Sequence, residues 1–167
     1  MSDVPALKTP VLVTGATSLI GRFATPRLEA MGVEFSRLSR TAPDAPGWVR
    51  GRLGDPDLEA RLPACPTVLS LSPIWHLPPG LDALKAKGMQ RLVAFSSTSV
   101  STKAASPDAY EQGMVRRLAD GEEAVRAFCE ANGVAWTILR PTLIYAEGQE
   151  QNVSRARRLT FWSCPSA

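Results

Sequence analysis

The stretch Val11-Leu-Val-Thr-Gly-Ala-Thr-Ser-Leu-Ile-Gly21 decides the fold that we predict for this chain of 167 residues. A short apolar run ends at Gly15 and a helical pattern begins at Leu19, which indicates a strand, a tight turn and a helix. Such a junction presents backbone N–H groups at a helix start, where the helix dipole favours a diphosphate. Gly15 permits the turn, and Gly21 permits close packing of helix on strand. The stretch therefore predicts a dinucleotide site.

Ser18 occupies the middle of this turn, where a glycine would let the backbone come closest to phosphate. Ser18 either keeps the turn and donates its hydroxyl to phosphate, or it crowds the ligand. We predict that the cofactor contacts the turn and the first helical residues, namely Gly15, Thr17, Ser18, Leu19, Ile20 and Gly21. The alternative is an inherited turn in a sheet that no longer binds.

Short apolar runs alternate with longer helical patterns along the chain, which is typical of a parallel sheet built from β-α-β units. Strands are predicted at Pro10–Thr14, Val33–Ser39, Trp48–Arg50, Thr67–Leu71, Arg91–Ser96 and Val134–Leu139. Helices are predicted at Leu19–Met31, Asp55–Leu62, Leu81–Lys87 and Ala109–Ala131. We therefore expect an α/β fold, a doubly wound parallel sheet of the Rossmann NAD(P)-binding type.

The end of the second strand bears on the choice of nicotinamide cofactor. NAD sites usually place an Asp or Glu there to accept a hydrogen bond from the ribose 2′-hydroxyl. Here the strand ends Arg37-Leu-Ser-Arg40, and Glu34 lies too early in the strand to reach the ribose. Arg40 is suited to a 2′-phosphate, so NADP(H) is favoured over NAD(H). The alternative is that Arg40 is a solvated loop residue.

Composition and charge exclude several other classes of protein. Residues 1–150 are neutral overall, and the net charge of +3 comes from Arg155, Arg157 and Arg158. Three basic residues in a short segment do not form a nucleic-acid face, so no nucleic-acid partner is expected. No apolar run approaches the roughly 20 residues of a membrane span, and the N-terminus has no signal-peptide pattern, so we expect a cytoplasmic protein without a membrane partner.

Neither the cysteines nor the histidine indicates a metal site. Cys65, Cys129 and Cys164 are odd in number and far apart, which predicts reduced thiols rather than a disulfide framework or a zinc site. His76 is the only histidine. A catalytic role for His76 and a plain loop position both remain open.

Three motifs occur in order along the chain: Thr14–Gly21, Phe95–Val100 and Leu139–Tyr145. In this order and spacing they resemble the extended and atypical short-chain dehydrogenase/reductases, in particular the NAD-dependent epimerase/dehydratase family. The resemblance covers about residues 10–155. It implies an NAD(P)-dependent oxidoreductase or a sugar-nucleotide epimerase built on a Rossmann domain.

The resemblance also implies roles for residues outside the turn. Ser97 corresponds to the Ser or Thr that hydrogen-bonds the reacting oxygen, and Ser96 beside it belongs to the cofactor site. Ser72-Pro73 resembles the stretch that passes the cofactor's ribose, and Pro141–Ile144 the backbone along the nicotinamide. Tyr145, or another group, would then move the proton.

The family's acid/base pair is a Tyr-x-x-x-Lys on the long helix, where a lysine one turn from the phenol lowers its pKa. Here the two places are held by Met114 or Val115 and by Leu118 or Ala119. Three functions therefore remain open. The chain is an atypical oxidoreductase or epimerase-like enzyme, a non-catalytic NADP(H)-binding sensor or regulatory module, or an inactive truncated remnant.

Proteins of the resembling family continue beyond this point into a part that supplies most of the substrate pocket. We therefore expect the NAD(P)-binding Rossmann domain at residues 1–146, and at residues 147–167 a remnant of the substrate part or an irregular tail. The sheet would be incomplete at its C-terminus through a natural truncation or a frameshift, or because a second copy covers it. The long helix Ala109–Ala131 is the candidate for pairing in a homodimer.

Overall fold

Six parallel strands form one sheet in the computed structural model, which describes residues 7–142 and residue 144. The strands are β1 (Val11–Thr14), β2 (Phe35–Ser39), β3 (Trp48–Arg50), β4 (Thr67–Pro73), β5 (Arg91–Phe95) and β6 (Ala135–Leu139). They lie in the order β3-β2-β1-β4-β5-β6, and every neighbouring pair is parallel. This order confirms the doubly wound Rossmann sheet, with its switch point between β1 and β4.

The helices lie between the strands. They are α1 (Leu19–Ala30), α2 (Leu58–Arg61), α3 (Leu81–Ala86), α4 (Ser99–Thr102) and α5 (Ala109–Ala131). The bounds of α5 agree with the sequence prediction. Two 3₁₀ turns, Ile74–His76 and Pro78–Gly80, and the single-turn α4 were not predicted, because segments this short show no hydrophobic period. Within the described residues, no helix is both long and apolar enough to cross a membrane.

Both faces of the sheet carry a core. On one face, Leu12 and Val68 pack with residues of α5, including Val125. On the other face, Val11 and Val13 pack beneath α1. Successive residues of β1 thus enter opposite cores, as expected for a strand covered on both sides.

The β6 end of the sheet is less covered. Trp136 is 37% exposed and Leu139 is 42% exposed. These side chains lie on the last strand of the described sheet, whereas β1 and the first part of β4 are buried. The described part of the molecule is therefore closed around β1 and β4 and more open around β6.

Two of the predicted thiols lie in the packed interior. Cys65 and Cys129 are buried and form no disulfide. Burial raises the pKa of Cys65 to about 11, so this thiol is protonated at neutral pH. Cys164 lies outside the described residues. The two described cysteines therefore act as small apolar side chains.

Candidate functional site

The turn between β1 and α1 requires both of its glycines. Gly15 has a φ of +70°, and a Cβ there would lie 2.6 Å from the backbone nitrogen of Ser72. A Cβ at Gly21 would lie 2.3 Å from the carbonyl oxygen of Ala16. The first glycine allows the turn to press against β4, and the second allows α1 to press against the turn. The packing roles predicted for both glycines therefore agree with the geometry.

Ser18 forms the N-cap of α1. Its hydroxyl oxygen accepts a hydrogen bond from the Gly21 N–H at 3.1 Å, and its own N–H donates to the Gly15 carbonyl at 2.9 Å. The N–H groups of Leu19 and Ile20 have no carbonyl acceptor within the helix, because they belong to its first turn. The Ser18 hydroxyl therefore supports the turn and leaves these two donors for an anion. Contact between Ser18 itself and phosphate stays a prediction.

A cleft of about 410 Å³ opens beside this turn at the carboxyl edge of the sheet. We call it the carboxyl-edge cleft. Six of the residues predicted to bind cofactor line it: Gly15, Thr17, Ser18, Arg40, Ser72 and Pro73. They come from the ends of β1, β2 and β4, which meet because parallel strands share one carboxyl edge. The structure thus brings together residues that the sequence separates by more than fifty positions.

Other predicted residues lie elsewhere. Leu19 and Ile20 line a second, mostly apolar groove on α1, together with Ile144. Neither Ser96 nor Pro141 lines the carboxyl-edge cleft; the Ser96 hydroxyl donates to Glu122, and the Pro141 carbonyl accepts from the Thr98 N–H. Gly21 is buried beneath the turn, and Tyr145 lies outside the described residues.

Sequence reasoning missed several residues of the cleft. Arg52 lines it from the turn after β3, and Trp75 lines it from the first 3₁₀ turn. His76, for which the sequence left a catalytic role and a plain loop position open, also reaches it, with its ring 5.9 Å from that of Trp75. The only available signal was position, since each of these residues follows the end of a predicted strand.

Three hydroxyl groups meet beneath the turn. Thr14 Oγ1 donates to Ser70 Oγ at 3.0 Å, and the Ser72 hydroxyl lies 3.3 Å from both oxygens. Thr14 and Ser70 are buried, whereas Ser72 is half-buried and lines the cleft. The cluster therefore couples the ends of β1 and β4, and it fixes the Ser72 side chain at the wall of the cleft.

The electrostatics of the carboxyl-edge cleft favour an anion. Arg40 and Arg52 are its arginines, and among the described residues that line it there is no Asp or Glu. The N-terminus of α1 adds a partial positive charge at one end of the cleft. A ligand with several phosphate groups fits this lining, because each phosphate meets either a cation or free backbone N–H groups.

The region expected to carry catalysis has a different character. The Ser97 hydroxyl accepts from the Ser99 N–H at 3.1 Å and donates to the Ser99 hydroxyl at 3.0 Å, so both of its hydrogen-bonding functions serve a local turn. On α5, Leu118 is buried and Met114 packs against the same core. These apolar side chains cannot transfer a proton.

Glu122 is a buried carboxylate on α5. It is only 8% exposed, and it receives hydrogen bonds from Ser96 and from the Arg140 guanidinium, whose Nε lies 2.9 Å from Oε1. Burial by itself raises the pKa of Glu122, but the hydrogen bonds from Arg140 and Ser96 and the charge of Arg140 outweigh it, so this pKa lies below its usual value. The network joins α5 to the ends of β5 and β6.

Lys103, at the end of α4, forms an ion pair with Glu111 near the start of α5. The Ser106 hydroxyl donates to the same carboxylate at 2.6 Å. Hydrogen bonds from Lys103 and Ser106 hold the pKa of Glu111 below its usual value. Lys103 therefore serves the surface of the loop before α5 and does not line the carboxyl-edge cleft.

Comparison with known proteins agrees with this geometry. A family model described as NAD(P)H-binding matches residues 80–161. No curated protein matches the chain significantly. The solved structures that share the fold include a short-chain dehydrogenase/reductase superfamily protein from Agrobacterium tumefaciens with bound NAD, at 23% identity and a TM-score of 0.64 over 78% of this chain and 48% of that one.

Two further structures show the same fold. UDP-N-acetylglucosamine 4-epimerase from Bacillus cereus has 16% identity and a TM-score of 0.68 over 85% of this chain and 56% of its own. MoeE5, solved with UDP-glucose and NAD, has 22% identity and a TM-score of 0.69 over 90% of this chain and 60% of its own. The chain thus spans between 48% and 60% of the length of these proteins. The family match and the shared fold agree with the resemblance that the three motifs carry: residues 80–161 match an NAD(P)H-binding family, and the chain has the Rossmann fold of these dehydrogenase and epimerase structures.

Proposed function

We propose that the carboxyl-edge cleft binds a nicotinamide dinucleotide and prefers NADP(H) to NAD(H). The observation that carries this proposal is the position of Arg40. It lines a cleft that begins at a glycine turn and in which, among the described residues, no carboxylate is present to accept from a ribose 2′-hydroxyl. A guanidinium at that place forms charge-assisted hydrogen bonds with a 2′-phosphate, whereas its interaction with a neutral 2′-hydroxyl is weak.

Each part of the cofactor meets a matching part of the cleft in this proposal. The diphosphate lies at the free N–H groups of Leu19 and Ile20, at the end of the cleft formed by Gly15 and Ser18. The adenosine ribose lies near Ser72-Pro73 and Arg40. The adenine lies against the apolar side chains of the lining, among them Leu53. Ser96 and Pro141 remain candidates for the nicotinamide end, beyond the cleft.

For the activity, we favour a non-catalytic NADP(H)-binding module that senses or sequesters the cofactor. A bound nicotinamide supplies hydride chemistry, but a reductase also needs a group that moves a proton. The places of the family's acid/base pair fall on Met114 or Val115 and on Leu118 or Ala119, and of these Leu118 lies in the core and Met114 packs against it. This packing supports binding without turnover.

The alternative is an atypical oxidoreductase or epimerase, in which Ser97 polarises the substrate oxygen and Tyr145 moves the proton. It is favoured by the family match over residues 80–161, which includes β5 and α5. An inactive remnant would bind no cofactor. The cytoplasmic location and the homodimer stay predictions. So does the division of the chain into a Rossmann domain at residues 1–146 and a remnant or tail at residues 147–167.

Titration of the full chain with NADPH, followed by nicotinamide fluorescence, tests cofactor binding. We expect saturation, and its absence at about 1 mM would overturn the proposal. The Arg40→Asp variant tests the preference, because a carboxylate accepts from a 2′-hydroxyl and repels a 2′-phosphate. We expect the ratio of NADH to NADPH dissociation constants to fall at least about tenfold. An unchanged ratio would contradict the role of Arg40.

Arg91→Asp is the matched control for that variant. Arg91 is exposed at the start of β5, at the opposite edge of the sheet from the cleft. The substitution makes the same change of charge without touching the lining. A similar loss of NADPH preference in both variants would show a general charge effect rather than a site.

A further inference from the structure

Arg52 is the residue of the cleft that the proposed function leaves without a role. It lies in the turn after β3 and lines the carboxyl-edge cleft, as Arg40 does from the end of β2. Ser39 at the end of β2 is in register with Arg50 at the end of β3. Arg40 and Arg52 therefore start from neighbouring ends of two paired strands, which lie about 5 Å apart.

Backbone hydrogen bonds hold the turn that carries Arg52. The Gly51 N–H donates to the Ser39 carbonyl at 3.0 Å, which ties the turn to the end of β2. The Arg52 N–H donates to Oδ2 of Asp55 at 3.0 Å. Leu53 packs against Gly80, where a Cβ would lie 2.6 Å from the leucine Cδ2. The main chain of Arg52 is thus anchored, and its guanidinium takes no part in the anchoring.

The neighbouring arginines are all engaged. Arg37 pairs with Glu29, Arg50 donates to the Ala42 carbonyl at 2.7 Å, and Arg61 pairs with Asp55 and Asp57. In the described part of the chain, the guanidinium groups of Arg40 and Arg52 have no such hydrogen-bond or ion-pair partner. The unengaged arginines of this region are therefore the two that line the cleft.

We infer that Arg52 and Arg40 together form a subsite for a phosphomonoester on the adenosine ribose, the 2′-phosphate of NADP(H). This inference rests on the proposed function and adds a second, specificity-determining cation to it. Two guanidiniums match a phosphate that carries nearly two negative charges at neutral pH, because each presents a planar pair of N–H donors. A single arginine would leave much of that charge unpaired.

The position of the subsite agrees with the order of the strands. The diphosphate end of the cleft lies at the end of β1, and β2 and β3 follow in sequence along the same edge. A cofactor laid across this edge from the Gly15 turn therefore reaches the end of β2 with its adenosine ribose. A phosphate on that ribose then meets side chains from β2 and β3 together.

Calorimetric titration of the full chain with 2′,5′-ADP and with 5′-AMP tests the subsite, because these probes differ by the phosphate in question. We expect wild type to bind 2′,5′-ADP at least about tenfold more tightly than 5′-AMP. Arg52→Ala should weaken 2′,5′-ADP binding by about 10-fold or more and leave 5′-AMP within about twofold. Arg91→Ala removes an exposed arginine at the opposite edge of the sheet. It should change neither the affinity for 2′,5′-ADP nor the affinity for 5′-AMP.

The outcomes separate this inference from the proposal beneath it. If Arg52→Ala keeps the wild-type ratio of the two affinities while Arg40→Ala lowers it, the role of Arg52 is overturned and the proposed function stands. Equal losses for both probes would place Arg52 at another part of the nucleotide and would also overturn the inference. If neither 2′,5′-ADP nor NADPH saturates wild type, the proposed function fails and the inference fails with it.

Discussion

The two ends of the carboxyl edge differ in what their polar side chains do. Around β1, β2 and β3, Arg40 and Arg52 line an open cleft without an ion pair among the described residues. Around β5 and β6, Glu122 and Arg140 are paired with each other, and Ser96 donates to the same carboxylate. One end therefore leaves its charges available to a ligand, whereas the other end uses them to hold the fold.

In the proposed function, this difference separates binding from catalysis in one sheet. A dinucleotide needs a turn, free N–H groups and cations, and all three are present at the β1 end. Proton transfer in the family uses a titratable pair on α5, whose places fall here on Met114 or Val115 and on Leu118 or Ala119, and the Glu122 carboxylate on the same helix is engaged by Arg140. Three substitutions test whether the two ends are as independent as this comparison suggests.

The largest effect is expected at the turn. Gly15→Ala places a Cβ against the β4 backbone at a φ of +70°, so we expect unfolding free energy to fall by about 2–4 kcal/mol and NADPH affinity by about 100-fold. Thermal unfolding and fluorescence titration measure the two losses. If affinity stays within about twofold of wild type, the β1 end is not the binding end.

Gly88→Ala is the matched control for this variant. Gly88 has a φ of +88° but open space where its Cβ would lie, and it follows α3. We expect only the backbone strain, about 1–2 kcal/mol of stability, with NADPH affinity unchanged. The difference in lost unfolding free energy between Gly15→Ala and Gly88→Ala then measures the effect of the close contact between the turn and β4.

A smaller effect is expected at the β5–β6 end. Glu122→Gln keeps an acceptor for Ser96 but removes the charge opposite Arg140, so we expect a loss of about 1–2 kcal/mol at pH 7 with little change in NADPH affinity. Glu123→Gln is the control, because Glu123 pairs with Arg126 on the exposed face of α5 and should contribute at most about 0.5 kcal/mol. A large loss of NADPH affinity in Glu122→Gln would show that the two ends are coupled.

The stability lost in Glu122→Gln should depend on pH. Because the pKa of Glu122 is lowered in the folded protein, its contribution is present above the pKa of the unfolded chain, near 4.5, and is lost as the pH falls through the folded pKa. Denaturant unfolding from pH 7 to pH 3 should therefore show wild type and variant converging below about pH 4.5. If the difference in unfolding free energy between wild type and variant stays constant down to pH 3, the paired, ionised state of Glu122 is contradicted.

The smallest effect is expected at Ser97. Its hydroxyl serves a local turn with Ser99, so Ser97→Ala should lower unfolding free energy by about 0.5–1 kcal/mol and leave NADPH affinity within about twofold. Ser101→Ala, at an exposed position of α4, is the control. Loss of a measurable reductase turnover in Ser97→Ala, with the fold intact, would instead favour the enzyme.

The strands and α5 were predictable because their patterns are local. The apolar run before Gly15 indicates a buried strand, and the long pattern from Ala109 to Ala131 indicates a helix. Each depends only on residues that are close together in the chain. Glu122 was not predictable in the same way. A carboxylate on a helix is solvated or buried according to what packs against it, and its partners Ser96 and Arg140 come from other elements. Nothing within one helical turn of Glu122 indicates them.

The sequence by itself determined the alternation of strands and helices, the glycine turn at β1 and the absence of Tyr-x-x-x-Lys, because each depends on residues near one another in the chain. Only the tertiary structure decided that Arg52 joins Arg40 at one cleft and that the Ser18 hydroxyl caps α1. The physical reason is that side chains meet through the pairing of strands. Register and packing, which a local pattern does not record, set which of them remain free for a ligand.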